Sequence, residues 1–189
     1  MGAEKFMHIK AATSGKGPDC VVMNVTIRSM KLHGGAFGSR GGYRPSKAEL
    51  EAENVEAVSI GAATNLDRHI RNMAGFGVPV IVSINKFTSD TEAEIQALSD
   101  AAHASGARAV TITEVHSKGG EGGEDLAKAV VKAVQDHVAA GRPFTPLFLK
   151  DAPVMEKVEA IATRMYKAES VIVEALSLIH ISEPTRRTT

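Results

Sequence analysis

At 189 residues the chain has room for one well-buried domain and is short for two. Its 43% apolar and 23% charged residues are the balance of a soluble globular protein. A formal net charge of zero excludes a broad basic surface for nucleic acid or anionic membrane, while leaving room for a local anion site. The single cysteine, Cys20, excludes an internal disulfide and any multi-cysteine metal site. No stretch approaches the roughly 18 apolar residues of a membrane span, and the amino terminus lacks the apolar core of a secretory signal. A cytoplasmic protein is the simplest expectation.

In chain order, Gly2–Pro18 is a short mixed segment followed by the turn-rich SGKGP. Cys20–Ile27, CVVMNVTI, predicts a first strand, although Asn24 inside it would need hydrogen-bond partners if buried. Arg28, Lys31 and His33 follow at its carboxyl end, and the glycine-rich Gly34–Gly42 reads as a loop. Ser46 and Glu49 have the spacing of a capping box. Leu50, Val55, Val58, Ile60, Ala63, Leu66, Ile70 and Met73 then recur at helical spacing to about Ala74, with Gly61 expected to bend or divide that helix.

The β-branched run Val78, Val80, Ile81, Val82 and Ile84 suits a parallel strand covered on both faces. It ends in the polar stretch Asn85–Asp90, and Thr91 with Glu94 caps a helix whose inner face is Ile95, Leu98, Ala101 and Ala102. A third strand, Arg108–Thr113, leads to Glu114–Lys118 and the glycines of 119–123. Leu126, Val130, Val131, Val134 and Val138 mark the inner face of the next helix, stopped at Gly141-Arg142-Pro143. A proline-interrupted connector, PFTPLFLKDAP, precedes a last helix carrying Val154, Val158, Ile161, Met165 and Ala168 and reaching about Ala175. Short strands alternating with helices predict an α/β fold, a parallel sheet flanked by helices. Ser177–Thr189 breaks the pattern. It resembles translated adapter or vector sequence and also fits an ordinary frayed terminus.

Polar residues at the carboxyl ends of parallel strands are where such sheets bind ligands. Asn85-Lys86-Phe87-Thr88-Ser89-Asp90 resembles the Asn-Lys-x-Asp base-reading element of GTPases with two extra residues before the aspartate. An asparagine amide offers a donor and an acceptor to a purine edge, and Lys86 and Phe87 could pack on the base. The same residues also suit a plain helix start in which Asp90 or Thr91 caps. Arg28, Lys31 and His33 could neutralise phosphate or carboxylate charge, or form a solvated helical turn. Lys118, Gly119 and Gly120 could present backbone amides to an anion, although Glu121, Glu124 and Asp125 would repel one; the glycines could instead let a loop pass near a strand end. The sequence contains no GxxxxGK[ST], no GxSxG, and no HxH or HExxH spacing, so a phosphate-binding loop, a serine elbow and a zinc site are not expected within it.

VTIRSMKLHGG (Val25–Gly35), NLDRHIRNMAGFGVPVIVSINKFTSDTEAEI (Asn65–Ile95) and TEVHSKGGEGGEDLAKAVV (Thr113–Val131) together resemble formate–tetrahydrofolate ligase, also called formyltetrahydrofolate synthetase, as does the opening GAEKFMHIK. The resemblance runs from Gly2 to about Leu176. It implies part of a P-loop-type nucleotide-binding domain over 1–176, with 177–189 an unrelated tail. It further implies synthesis of 10-formyltetrahydrofolate from formate, tetrahydrofolate and ATP with Mg2+, through formyl phosphate. The partners implied are small-molecule substrates, with neither nucleic acid nor membrane, and a homo-oligomer is left open for the full-length enzyme. The family's P-loop would lie upstream and its later folate region downstream, so the chain is expected to be an internal fragment, inactive alone. Carried over, the resemblance favours a nucleotide or active-site role for Asn85 and Phe87. It puts Arg28, Lys31 and His33 on the phosphate and formyl side, and gives Lys118 and its glycines a signature of unassigned role. A GTPase-like nucleotide-binding module without ligase activity is the alternative.

Overall fold

The computed structural model describes residues 2–37, 45–141 and 144–173. The chain divides into two compact units, Met1–Thr145 and Pro146–Thr189, with the boundary inside the proline-interrupted connector.

The first unit opens on helix where the sequence predicts none: α1 (Gly2–Lys5), a π-helical stretch (Phe6–Ala11) and α2 (Ala12–Ser14). Only Met7 and Ala11, four residues apart on one face, are buried. Two modest apolar residues give too faint a periodicity to read. His8 lies 5.5 Å from the ring of Phe76, and the Phe144 ring stacks on it at 5.6 Å, so the wholly buried Phe76 gathers three distant segments.

Three parallel strands, β1 (Val21–Val25), β2 (Val80–Asn85) and β3 (Ala109–Thr113), pair in the order β1-β2-β3, with Val25 opposite Ile84 and Ile84 opposite Ile112. This is the predicted parallel α/β sheet. The β-branched run of β2 is central and buried, whereas β1 and β3 are edges. Asn24 lies on the exposed side of β1, which removes the objection to it. The strand is shorter than predicted because Thr26 leaves it: its side chain accepts from the Ser29 amide at 3.1 Å and caps α3 (Ile27–His33).

The predicted helix from Ser46 to Ala74 is interrupted. The Ser46–Glu49 capping box opens α4 (Lys47–Glu51), the chain extends at Ala52, and Asn54 caps α5 (Val55–Gly61) by accepting from the Ala57 amide at 2.9 Å. A π-helical stretch (Ala62–Leu66) joins α5 to α6 (Asp67–Ala74), which ends at Gly75, and Gly77 turns the chain into β2 with a φ of 79°. Beyond β2, the Thr91–Glu94 capping box starts α7 (Glu92–Ala104), whose Ile95, Leu98 and Ala102 are buried as predicted.

After β3 come α8 (Val115–Lys118), a 3-10 stretch (Gly119–Gly123) and α9 (Glu124–Ala139). Here the predicted apolar face holds in part: Leu126, Val130 and Val134 are half-buried. Ala133 and His137 are buried, while Val131 and Val138 are 56% and 62% exposed. The helix packs on the edge strand β3 and more lightly on β2, so only a narrow stripe is covered.

The second unit contains α10 (Val154–Ala160) and a π-helical stretch (Ile161–Met165). Lys157 Nζ donates to the Lys150 carbonyl at 2.6 Å and Arg164 to the Leu147 carbonyl at 2.8 Å. The helix stops short of its predicted end: Lys167 adopts a φ of 53°, and the Ala168 amide folds back to the Ala162 carbonyl. The expected tail at Ser177–Thr189 and most of the glycine-rich loop before Pro45 lie outside the described residues.

Candidate functional site

The carboxyl ends of β1 and β2 adjoin, and the segments leaving them meet through one side chain. Arg28, in the first turn of α3, sets its guanidinium 4.4 Å from the ring centre of Phe87. Its Nη2 donates to Ser89 Oγ at 3.3 Å and lies 3.8 Å from Glu51 on α4. Its Nε is buried and meets no acceptor. A cation over an aromatic face is worth roughly 0.5–1 kcal/mol when exposed and more when desolvated. That contact and the single hydroxyl hydrogen bond leave most of the guanidinium's donor capacity for an anion.

The turn from Asn85 to Asp90 is closed by its own groups. Asp90 Oδ2 accepts from the Phe87 amide at 2.8 Å, and the Asp90 amide donates to the Phe87 carbonyl at 3.1 Å. Burial pushes the Asp90 carboxyl above its ordinary range, against the pull of the Phe87 hydrogen bond. Asn85 is half-buried, and its side-chain amide makes no hydrogen bond to the described residues. Lys86 pairs with Glu92 at 2.8 Å, and that hydrogen bond holds the ammonium above its ordinary value. Phe87 is half-exposed under Arg28.

Lys31 is one turn further along α3 and, unlike Arg28, is buried in the protein. It is 1% exposed, with Nζ 2.7 Å from Glu94 Oε1, 2.9 Å from the Ala52 carbonyl and 3.4 Å from the Leu50 carbonyl. Those three acceptors use its three protons. His33 is exposed at the end of α3, five residues past Arg28, which is about 7.5 Å along a helix. The structure therefore brings Arg28, Phe87 and the Asp90 turn together and does not bring His33 into contact with them.

At the end of β3, Lys118 pairs with Glu114, and Glu114 also acts on Lys86 across the strand ends. Gly119 has a φ of 59° and, like Gly120, is exposed. Gly122 explains the glycine run best. The Glu114 amide donates to its carbonyl at 3.0 Å, and a Cβ there would lie 2.6 Å from the Glu114 carbonyl group. The loop folds back on its own strand end, which suits only glycine.

Three neighbours of the site are not evident from the sequence. Glu51 and Ser89 sit beside Arg28, and Glu94 has a second role beyond capping. The one available signal was the Thr91–Glu94 spacing, which finds the cap but not the burial. A cleft of about 550 Å3 also lies at the opposite, amino end of β2 and β3, beside Val78, Pro79, His137 and the Arg108–Asp136 pair. Nothing in the sequence pattern marks it.

Among the described residues no helix is long and apolar enough to cross a membrane, and no group of three or more His, Cys, Asp or Glu is arranged to hold a metal. The family profile described as formate–tetrahydrofolate ligase matches residues 1–187, running past the tail boundary read from the sequence. A formate–tetrahydrofolate ligase of Dinoroseobacter shibae is 46% identical over 174 residues, covering 92% of this chain and 29% of the relative. One from Ruegeria sp. (strain TM1040) is 43% identical over 93% of this chain and 29% of the relative. One from Latilactobacillus sakei is 40% identical over 97% of this chain and 30% of the relative. The chain thus spans under a third of the length of these curated relatives. On a match of this extent, the chain belongs to the formate–tetrahydrofolate ligase family.

Proposed function

We propose that this chain supplies part of the apparatus for ATP-dependent ligation of formate to tetrahydrofolate, giving 10-formyltetrahydrofolate through formyl phosphate. Family membership supports the reaction class. The observation that supports the site is the Arg28 guanidinium stacked 4.4 Å over Phe87 at two adjoining strand ends, with its Nε unmatched. In the first step a formate oxygen attacks the γ-phosphorus, the bond to the bridging oxygen breaks, and ADP departs with the electron pair. In the second the folate nitrogen attacks the formyl carbon, phosphate leaves with the C–O electrons, and the nitrogen loses its proton. Both steps gather charge on oxygen, which a preorganised cation stabilises.

Arg28 is the cation best presented for that task, with Phe87 and the Asn85 amide offering a flat face and a purine-edge partner. Lys86 and Lys118, each paired with a carboxylate, and the exposed backbone of Gly119 and Gly120 border the same strand ends and would complete the ligand-facing rim. His33 would serve only a ligand reaching well beyond Arg28. Mg2+ would accompany the ATP phosphates as part of the substrate. Asp90 is committed to the Phe87 amide, which weighs against a GTP-reading module in which that carboxylate would accept from the base. Lacking a GxxxxGK[ST] loop, the chain alone would not hold a γ-phosphate in line with formate, and a P-loop domain, cytoplasmic setting and oligomerisation belong to the longer protein we infer.

The test is an ATP titration of the purified chain followed through the amide resonances of residues 85–90, beside R28A. Saturable shifts confined to that turn, weakened about tenfold or more in R28A, are expected. Shifts clustered instead around Arg108 and His137 would sink the reading.

A further inference from the structure

We propose that Lys31 and Glu94 are a positioning pair, which sets the ligand affinity of the Arg28–Phe87 crevice without touching the ligand. The inference deepens the crevice reading above and rests on it. Lys31 Nζ and Glu94 Oε1 are 2.7 Å apart, and their side chains are 1% and 0% exposed. Both are also bonded to backbone, Lys31 on the α4 side of the crevice and Glu94 on both sides. Lys31 holds the carbonyls of Leu50 and Ala52, at the end of α4. Glu94 Oε1 accepts from the Asn54 amide at 2.7 Å, where α5 begins, and Oε2 from the Thr91 amide at 3.2 Å, where α7 begins.

These bonds clamp the two segments that flank Arg28. The α4 end carries Glu51, 3.8 Å from Arg28. The start of α7 is joined directly to the turn that carries Phe87, Ser89 and Asp90. Arg28 itself is on α3, three residues before Lys31. One buried pair thus fixes the cation, its competing carboxylate and its aromatic platform relative to one another. The four backbone partners satisfy protons and lone pairs that burial strips of water, and because they lie on three different segments, breaking the pair releases all three at once. Replacing a buried ion pair is often close to neutral for stability, so retention for placement is the physically consistent role.

The experiment compares the intact chain with K31M/E94Q, E94Q alone and R28A. K31M/E94Q removes both charges while keeping side-chain length and an amide oxygen; E94Q alone is the harsher change, and should a variant fail to fold, amide exchange in the intact chain at acid pH, where Glu94 takes up its proton, reads the same loss. Three quantities are read where each variant is fully folded: ATP affinity, amide exchange at Asn54, Phe87 and Thr91, and the thermal midpoint. Affinity is expected to fall about tenfold, with faster exchange at all three amides. A folded variant with wild-type affinity overturns the proposal, even if its midpoint has dropped. If the wild-type chain binds no ATP, or R28A binds it as well, the crevice reading fails instead. The clamp is then decided by exchange alone: acceleration at Phe87 and Thr91 supports it, and unchanged exchange overturns it.

Discussion

Gly61 on α5 runs so close to Met30 on α3 that a Cβ at Gly61 would lie 2.1 Å from the Met30 carbonyl oxygen. Gly34 makes the reciprocal approach, where a Cβ would lie 1.9 Å from the Ala57 oxygen. The two glycines let the helix bearing Arg28 and Lys31 press its backbone against the helix that begins at Asn54. Alanine at position 61 would add about 1 kcal/mol of helix propensity. Separating two packed backbones costs typically 1–3 kcal/mol or more, so the clash wins. G61A is expected to lower the urea midpoint, and an unchanged or higher midpoint would mean the helices cross less tightly than described.

Burial alone would push the Glu94 carboxyl up, but hydrogen bonds from Lys31, Asn54 and Thr91 together hold it below its ordinary 4.5. A carboxyl depressed on folding contributes stability that is present above that ordinary value and is lost as pH falls through the folded one. Stability should therefore decline below about pH 4.5 with a component that E94Q removes. Breaking the pair from one side is harsher: K31M leaves a buried, unpaired carboxylate and is expected to cost about 3–5 kcal/mol at neutral pH. Denaturant unfolding across pH measures both.

Asp90 behaves in the opposite sense. Desolvation raises its folded value above the ordinary 3.8, so its contribution is greatest at low pH and is lost as pH rises through the folded value. Asparagine keeps an oxygen for the Phe87 amide without the charge. D90N is expected to match or exceed wild-type stability at neutral pH, whereas D90A, which strands that amide, should lose about 1 kcal/mol or more. If D90N unfolds as readily as D90A, the charge rather than the hydrogen bond maintains the turn.

These contrasts separate what sequence could convey from what it could not. The strands of β2 and β3, the Ser46–Glu49 and Thr91–Glu94 caps and the polar strand ends depend on residues close in sequence, so periodicity and spacing reveal them. The break at Ala52 has one faint mark, the five-residue step from Leu50 to Val55, which falls outside the three- and four-residue steps of a helix face and is outweighed by the regular spacing after it. The direction of Lys31, the approach of Gly61 and the burial of Glu94 are set by how α3, α5 and α7 cross, which no local pattern records. A lysine three residues after Arg28 looks like a second crevice cation until that crossing turns it inward.

On α9, Val131 and Val138 are seven residues apart, which places them on one stripe, and both are more than half exposed. The helix meets β3 through Ala133 and His137 on another stripe, so the valines contribute little to the fold of this unit. Ile112 on β3 and Val115 just beyond it are also exposed, 44% and 51%. Apolar surface of this kind favours self-association in water. Replacing both valines by polar residues, V131K/V138E, removes no buried contact and should leave stability within about 0.5 kcal/mol. The same change is expected to raise the concentration at which the chain stays monomeric in sedimentation velocity. A variant that associates as strongly as the wild type would move the responsible surface elsewhere. A variant that unfolds would instead show that these valines are packed in the folded chain.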